Sequence, residues 1–217
     1  MSWQSHEYKL LDHQLLLHPL KAIYLKDQHT LLIADLHLGK ARHFRKAGFP
    51  VPQAVGDANF DKLISLFLEF KPTRVIFLGD LFHSDFNAEW PSFVDLMGRF
   101  PNIQFELVRG NHDILSADLY QEAQMKVHQD QFIIGRLLLT HEPLEEIPEC
   151  FYNLAGHIHP CVHLSGGGRQ RMRLACFHFG KNAGLLPAFG EFTGMAKIEV
   201  KKTDRVFVIG EDRVIPV

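Results

Sequence analysis

The stretch Val75-Ile76-Phe77-Leu78-Gly79-Asp80 constrains this 217-residue chain more than any other. Four apolar residues running into Gly-Asp predict a strand buried on both faces that stops at an acidic side chain. Open α/β folds gather their ligands where strands end, so Asp80 stands where chemistry is done. Four more polar clusters follow the same rule, each directly behind an apolar run: Ala34-Asp35-Leu36-His37, Gly110-Asn111-His112-Asp113, Thr140-His141-Glu142 and Gly156-His157-Ile158-His159. A carboxylate has two oxygens and is able to bridge two cations. The other clusters hold the donors that such a bridge requires.

Histidine usage agrees. Of the 14 histidines, six (His37, His83, His112, His141, His157, His159) fall in or beside these five strand ends. Surface histidines would scatter, whereas clustering points to metal or acid–base work. The three cysteines, Cys150, Cys161 and Cys176, have no zinc-ligand spacing and are odd in number, which suits a reducing, cytoplasmic setting. No basic-then-apolar leader opens the chain and no apolar run reaches membrane-spanning length. A net charge of −2 does not favour a whole-surface polyanion binder, although it allows a local basic patch.

Along the chain, residues 8–17, 22–25 and 30–34 read as strands with tight turns, and Asp35 and His37 share one side of an extended backbone. Residues 40–47 read as the start of a helix. Asp57 reads as the cap of a helix that runs to Phe70, with Pro72 behind it. Helices are also expected over 90–97 and 116–124, with a strand over 103–108 between them. Residues 126–140 read as a hairpin turning at Gly135. Segments 152–155, 162–165, 169–179, 185–192 and 205–209 read as further strands, with Gly166-Gly167-Gly168 as a turn. The first half is thus β-α-β-α-β and the second mostly β. The polar clusters cross that divide, so one domain over residues 1–217 with the site in its middle is expected.

Asp35, Asp80, Asn111 and up to five histidines (His37, His112, His141, His157, His159) offer oxygen and imidazole donors without a thiolate. That set suits Mn²⁺, Fe or Zn²⁺ more than Ca²⁺. It is too large for one ion, and two ions about 4 Å apart sharing a carboxylate would use it. Such a pair clamps a phosphoryl oxygen and makes hydroxide from water at neutral pH, and a non-ligating histidine then protonates the leaving alkoxide.

Asp35-x-His37, Gly79-Asp80, Gly110-Asn111-His112, His141 and Gly156-His157-x-His159 together resemble the calcineurin-like metallophosphoesterase superfamily, in its motif order. The resemblance implies an α/β (α+β) fold, a four-layer α/β/β/α sandwich of two mixed sheets with flanking helices. It implies that Asp35, His37, Asp80 and His159 hold one metal ion, and that Asp80, Asn111, His141 and His157 hold the other. His112 becomes the acid that faces the phosphate, with Asp113 orienting it, and the reaction becomes attack of a metal-bridging hydroxide on phosphorus. A narrower resemblance, carried by Ala34-Asp-Leu-His-Leu-Gly-Lys40, Gly79-Asp-Leu-Phe-His-Ser84 and the tail segment 185–194, is to small bacterial phosphoesterases associated with a DNA ligase and a helicase. It implies a phosphodiesterase or endonuclease acting on nucleic acid, DNA favoured, in DNA repair, with ligase and helicase as partners.

Blander readings stand beside these. Asp113 caps the next helix as readily as it orients His112. His83 faces substrate or bonds within its own loop, and His163 and His178 belong to strand patterns. The run Lys40, Arg42, His43, Arg45, Lys46 holds phosphates or is a solvated helix face. Arg169, Arg171 and Arg173 alternate on one strand face as a phosphate patch or a charged edge. Phe177, Phe179, Phe189 and Phe192 read as core, and Cys161 as structural. The rival functions are a small-molecule nucleotide phosphatase or phosphodiesterase, and a metal-bearing scaffold for a repair complex. The sequence sets no oligomeric state; a homodimer is compatible with it.

Overall fold

Two mixed sheets carry the fold, and the polar clusters sit where their strands stop. The computed structural model describes residues 3–39, 54–82, 89–165, 171–191 and 193–217. The first sheet holds β1 (His6–Leu10), β2 (His13–His18), β3 (Ala22–Leu25), β4 (Thr30–Ala34), β5 (Arg74–Leu78), β6 (Gln104–Val108) and β7 (Met125–His128), side by side in chain order. Neighbours are antiparallel from β1 to β4 and parallel from β4 to β7. Between its strands lie α1 (Ala54–Phe70), α2 (Trp90–Gly98) and α3 (Ala117–Glu122).

The second sheet holds β8 (Gln131–Ile134), β9 (Leu137–Thr140), β10 (Tyr152–Ala155), β11 (Pro160–Ser165), β12 (Arg171–Phe179), β13 (Ala183–Leu185), β14 (Ala196–Lys197), β15 (Arg205–Ile209) and β16 (Val214–Pro216). The long strand β12 organises it: β11 pairs with its first part, while β13 and β15 pair with its last part.

Side-chain alternation explains why the central strands are apolar on both faces. Leu31, Ile33, Val75, Phe77, Phe105 and Leu107 point to the helices, where they meet Leu63, Leu66 and Phe67 of α1 and Trp90 and Phe93 of α2. Leu32, Ala34, Ile76, Leu78 and Val108 point the other way, onto Leu137, Leu139, Leu154, Phe177 and Phe179 of the second sheet. A strand covered on both sides has no polar face, so the period of two vanishes from the sequence. The three described helices all bury their apolar residues against the first sheet. The far side of the second sheet carries a smaller cluster of Val162, Cys176, Val206 and Val208.

Some local expectations are corrected. Residues 8–17 are two strands, β1 and β2, folded at Leu11, which takes a left-handed φ of 54°. Helix α1 covers Ala54–Phe70, so Asp57 lies inside it and is no cap. Residues 126–140 do not form one hairpin: β7 joins the parallel part of the first sheet, and the hairpin at Gly135 is β8 with β9 in the second. Of the described residues in 185–192, only Leu185 is in a strand; those beyond it cross between the sheets. The stretch 40–47, the triple glycine, Arg169 and Phe192 lie outside the described residues.

Candidate metal centre

The ends of β4 and β5 continue past the sheet as a main-chain zipper. Asp35 N–H donates to Gly79 O, His37 N–H to Asp80 O at 2.9 Å and Leu38 N–H to Leu81 O at 2.9 Å. The same zipper bends. Asp35, His37, Asp80, His157 and His159 all take positive φ, between 48° and 63°. L-residues avoid that region at a cost of order 1–3 kcal/mol each, and such backbone gathers at functional sites. Glycines admit the close approaches. A Cβ on Gly79 would stand 2.1 Å from His141 Nδ1, and one on Gly156 would stand 2.6 Å from Asp35 Oδ2.

Two groups of donors result, each with its ligand atoms within 4.8 Å of one another: Asp35 with His37 and His159, and Asp80 with His141 and His157. Asp80 faces both. Its Oδ2 lies 3.8 Å from His37 Nε2, and its Oδ1 lies 3.4 Å from His141 Nε2. Asn111 joins the second group through Oδ1, which lies 3.0 Å from His141 Nε2. His157 Nδ1 lies 3.0 Å from the same Nε2.

Hydrogen-bond roles show what these groups want. His159 Nδ1 donates to Gly194 O at 2.9 Å, and His141 Nδ1 donates to Leu78 O at 3.1 Å. A carbonyl only accepts, so each neutral ring presents a bare Nε2 lone pair to the centre. His159 Nε2 then meets Asp35 Oδ1 at 3.4 Å, and both atoms are buried without a hydrogen bond. His141 Nε2 meets an amide oxygen and a carboxylate oxygen, beside the His157 Nδ1 that can donate to it. Lone pair against lone pair is repulsive, and a cation placed between them turns each contact favourable. Asp35 and Asp80 are 0% and 3% exposed, and among the described residues their ion-pair partners are histidines only. The donor set therefore fits two metal ions.

His112 lies outside both groups. Its N–H donates to Asp80 Oδ1 at 3.0 Å, and its ring packs edge-on against His37 at 6.0 Å between centroids. The Asp113 carboxylate accepts from Leu81 N–H and Gly110 N–H, each at 2.8 Å, and from Phe82 N–H at 3.4 Å. It clamps the loop after β5 to the loop after β6. It is not a helix cap, since α3 starts after Ser116. Burial pushes this carboxyl up to about 6, against the pull of its amide donors, and the nearby Asp80 charge adds to the rise.

Lys40, Arg42 and His83 lie outside the described residues. His163 sits in β11, and His178 pairs with Asp204 at 2.9 Å, away from the centre. Sequence reasoning missed three supporting groups. Asn153, fully buried in β10, donates to Leu138 O and Thr140 Oγ1 and accepts from Leu144 N–H, which holds the loop carrying His141. Lys62 of α1 and Glu191 form an ion pair at 2.8 Å behind the Asp35 loop. Nothing in Cys150-Phe151-Tyr152-Asn153-Leu154 signalled a role for Asn153, and nothing local marks a lysine on a helix face.

A pocket of candidate metal donors at the ends of strands from two packed mixed sheets fits a metallophosphoesterase. The chain belongs to the calcineurin-like phosphoesterase family, whose description matches residues 29–180. Among solved structures it is similar to a Pseudomonas putida protein titled nuclease MPE, at 30% identity and a TM-score of 0.83, with 99% of this chain and 100% of that one covered. A conserved uncharacterized protein from Streptococcus pneumoniae TIGR4, titled a predicted phosphoesterase, aligns at 14% identity and a TM-score of 0.32 over 84% of this chain and 83% of that one. No curated protein matches the chain. No described helix is long and apolar enough to cross a membrane.

Proposed function

We propose that the chain is a binuclear-metal phosphodiesterase that cleaves nucleic acid. The observation that carries this reading is Asp80, whose two carboxylate oxygens face the two donor groups, 3.8 Å and 3.4 Å from a histidine nitrogen of each. Asp35, His37, Asp80 and His159 would hold one ion, and Asp80, Asn111, His141 and His157 would hold the other. Ions bound there would draw charge from the scissile phosphate and supply hydroxide from water at neutral pH. His112 protonates the leaving alkoxide, since its ring adjoins His37 and is left out of both ligand groups. Asp113 fixes the backbone around His112 through the amides of Gly110 and Leu81.

Support for a nucleic-acid substrate comes from the similarity to the P. putida nuclease over nearly the whole chain. The narrower sequence resemblance favours DNA and a repair setting with ligase and helicase partners; the donor set suits Mn²⁺, with Fe or Zn²⁺ also compatible, the cysteine pattern suits a cytoplasmic location, and polar clusters that cross the two halves of the chain suit a single domain. The test is metal analysis together with Mn²⁺-dependent hydrolysis of bis(p-nitrophenyl) phosphate and of the monoester p-nitrophenyl phosphate. Diester cleavage is expected, with His112→Ala keeping its metal and losing about 10²- to 10⁴-fold in rate. A His112→Ala protein of wild-type rate removes the acid assignment, and a two-metal protein that cleaves neither ester removes the enzyme reading.

A further inference from the structure

The tail segment 185–194 is the sequence motif that the reaction above leaves unused, and its described residues Leu186, Phe189, Gly190 and Gly194 lie against the candidate metal centre. Leu186 N–H donates to Ala155 O, Phe189 N–H to Ala34 O and Gly190 N–H to Asp35 O. The segment is thereby stitched to the ends of β10 and β4, next to His157 and Asp35. Gly194 O receives the His159 ring.

This placement gathers charge. Lys62 Nζ donates to Phe189 O at 2.6 Å and to Glu191 Oε1 at 2.8 Å, and sits 4.3 Å over the Phe189 ring. Lys21, in the turn between β2 and β3 and held at a φ of 63°, interacts with the same Glu191 and repels Lys62. Burial lowers both lysines, Lys62 to about 8. Both ammonium groups thus act electrostatically on one carboxylate, and that carboxylate is bonded to Lys62. Lys21, Glu191, Gly190 and Thr193 line a cavity of about 210 Å³ whose other wall includes His159. Among the described residues this leaves one half-buried cation in surplus, and such a cation calls for an anion. A cavity that opens beside a metal-site histidine receives that anion from the molecule whose phosphate the metals hold.

We propose that Lys21 and the cavity it lines with His159 and Glu191 form an anion subsite that holds a second phosphate of the substrate, next along its chain to the phosphate being cleaved. Lys62 and Glu191 position the subsite; Lys21 touches the ligand. The inference rests on the phosphodiesterase reading above.

The test compares thymidine 3′,5′-bisphosphate with thymidine 5′-monophosphate as inhibitors of bis(p-nitrophenyl) phosphate hydrolysis. The bisphosphate is expected to inhibit the wild type about tenfold more tightly, the scale of one charge-assisted hydrogen bond. Lys21→Ala and Lys21→Gln, which keeps the stem, should erase that advantage, and Lys21→Arg should retain it. Calorimetric titration of the Mn²⁺-loaded protein reads the same ratio without turnover. A chain that hydrolyses nothing therefore fails the functional reading while the subsite is still decided. Thermal unfolding checks that each variant is folded. Equal inhibition of the wild type by both nucleotides overturns the subsite, as does an advantage that survives in Lys21→Gln. Variants that weaken both nucleotides alike also overturn it, because Lys21 would then shape the centre without meeting a second phosphate.

Discussion

Asp80 and Gly79 state the design at the level of single residues. A buried carboxylate with a different histidine facing each oxygen is unstable as an isolated anion and stable as a bridge. Asp80→Ala is expected to lose both ions and hydrolysis together, read by elemental analysis beside the diester assay; two ions retained in full would sink the bridging role. Gly79 holds a φ of 72°, and an added Cβ would stand 2.1 Å from His141 Nδ1. Gly79→Ala must push the ring away from Leu78 O, the acceptor that orients it. Metal affinity should fall about 10- to 100-fold, the usual effect of disturbing a ligand's orienting contact. Manganese titration checks it, and an unchanged affinity would mean that His141 does not ligate. Glycine and aspartate at a strand end were visible in the sequence, but the histidine packed against that glycine comes from 62 positions later in the chain.

Among elements, the loop behind β9 depends on β10. Asn153 ties Leu138 O, Thr140 Oγ1 and Leu144 N–H together with one side chain. Asn153→Leu leaves those groups buried without their partner, at roughly 3 kcal/mol. Denaturant unfolding should show that loss, and diester cleavage should fall with it because His141 starts the loop. A variant of full stability would show that water or relaxation replaces the amide. The strands β4, β5, β6, β9 and β10 were legible from their apolar runs, because burial on both faces leaves a simple signature. The crossing segment after Leu185 was not. Its apolar residues are buried like those of a strand, but its amides bond singly to the ends of two different strands rather than to one neighbour along its length.

For the whole molecule, acid stability follows from His18, fully buried at the end of β2. Its Nδ1 accepts from Leu20 N–H, and burial holds the ring down to about 4, although Glu69 Oε2 is 3.4 Å away. The folded pKa lies below the unfolded value of 6.5, so the unfolded chain binds a proton first. Stability is therefore fullest above about 6.5 and declines as pH falls towards 4, by an amount on the order of 3 kcal/mol from this group. His18→Gln should flatten that part of the stability–pH curve in thermal unfolding; an unchanged slope would assign the acid limb to other groups.

The sequence alone determined the kinds of ligand, their order along the chain and their attachment to strand ends. Those are local properties: an apolar run forces a buried strand, and a polar residue at its end must find a partner. Tertiary structure decided which histidines share a centre and which stay in strands, as His163 and His178 do. It turned the two oxygens of Asp80 towards different groups, and it used the Asp113 carboxylate as a clamp between loops. It also brought Lys21, Lys62 and Glu191 together from β-turn, helix and tail. Such meetings depend on how two sheets pack and where one segment crosses between them, and distances of that kind are written nowhere in the spacing of residues along a chain.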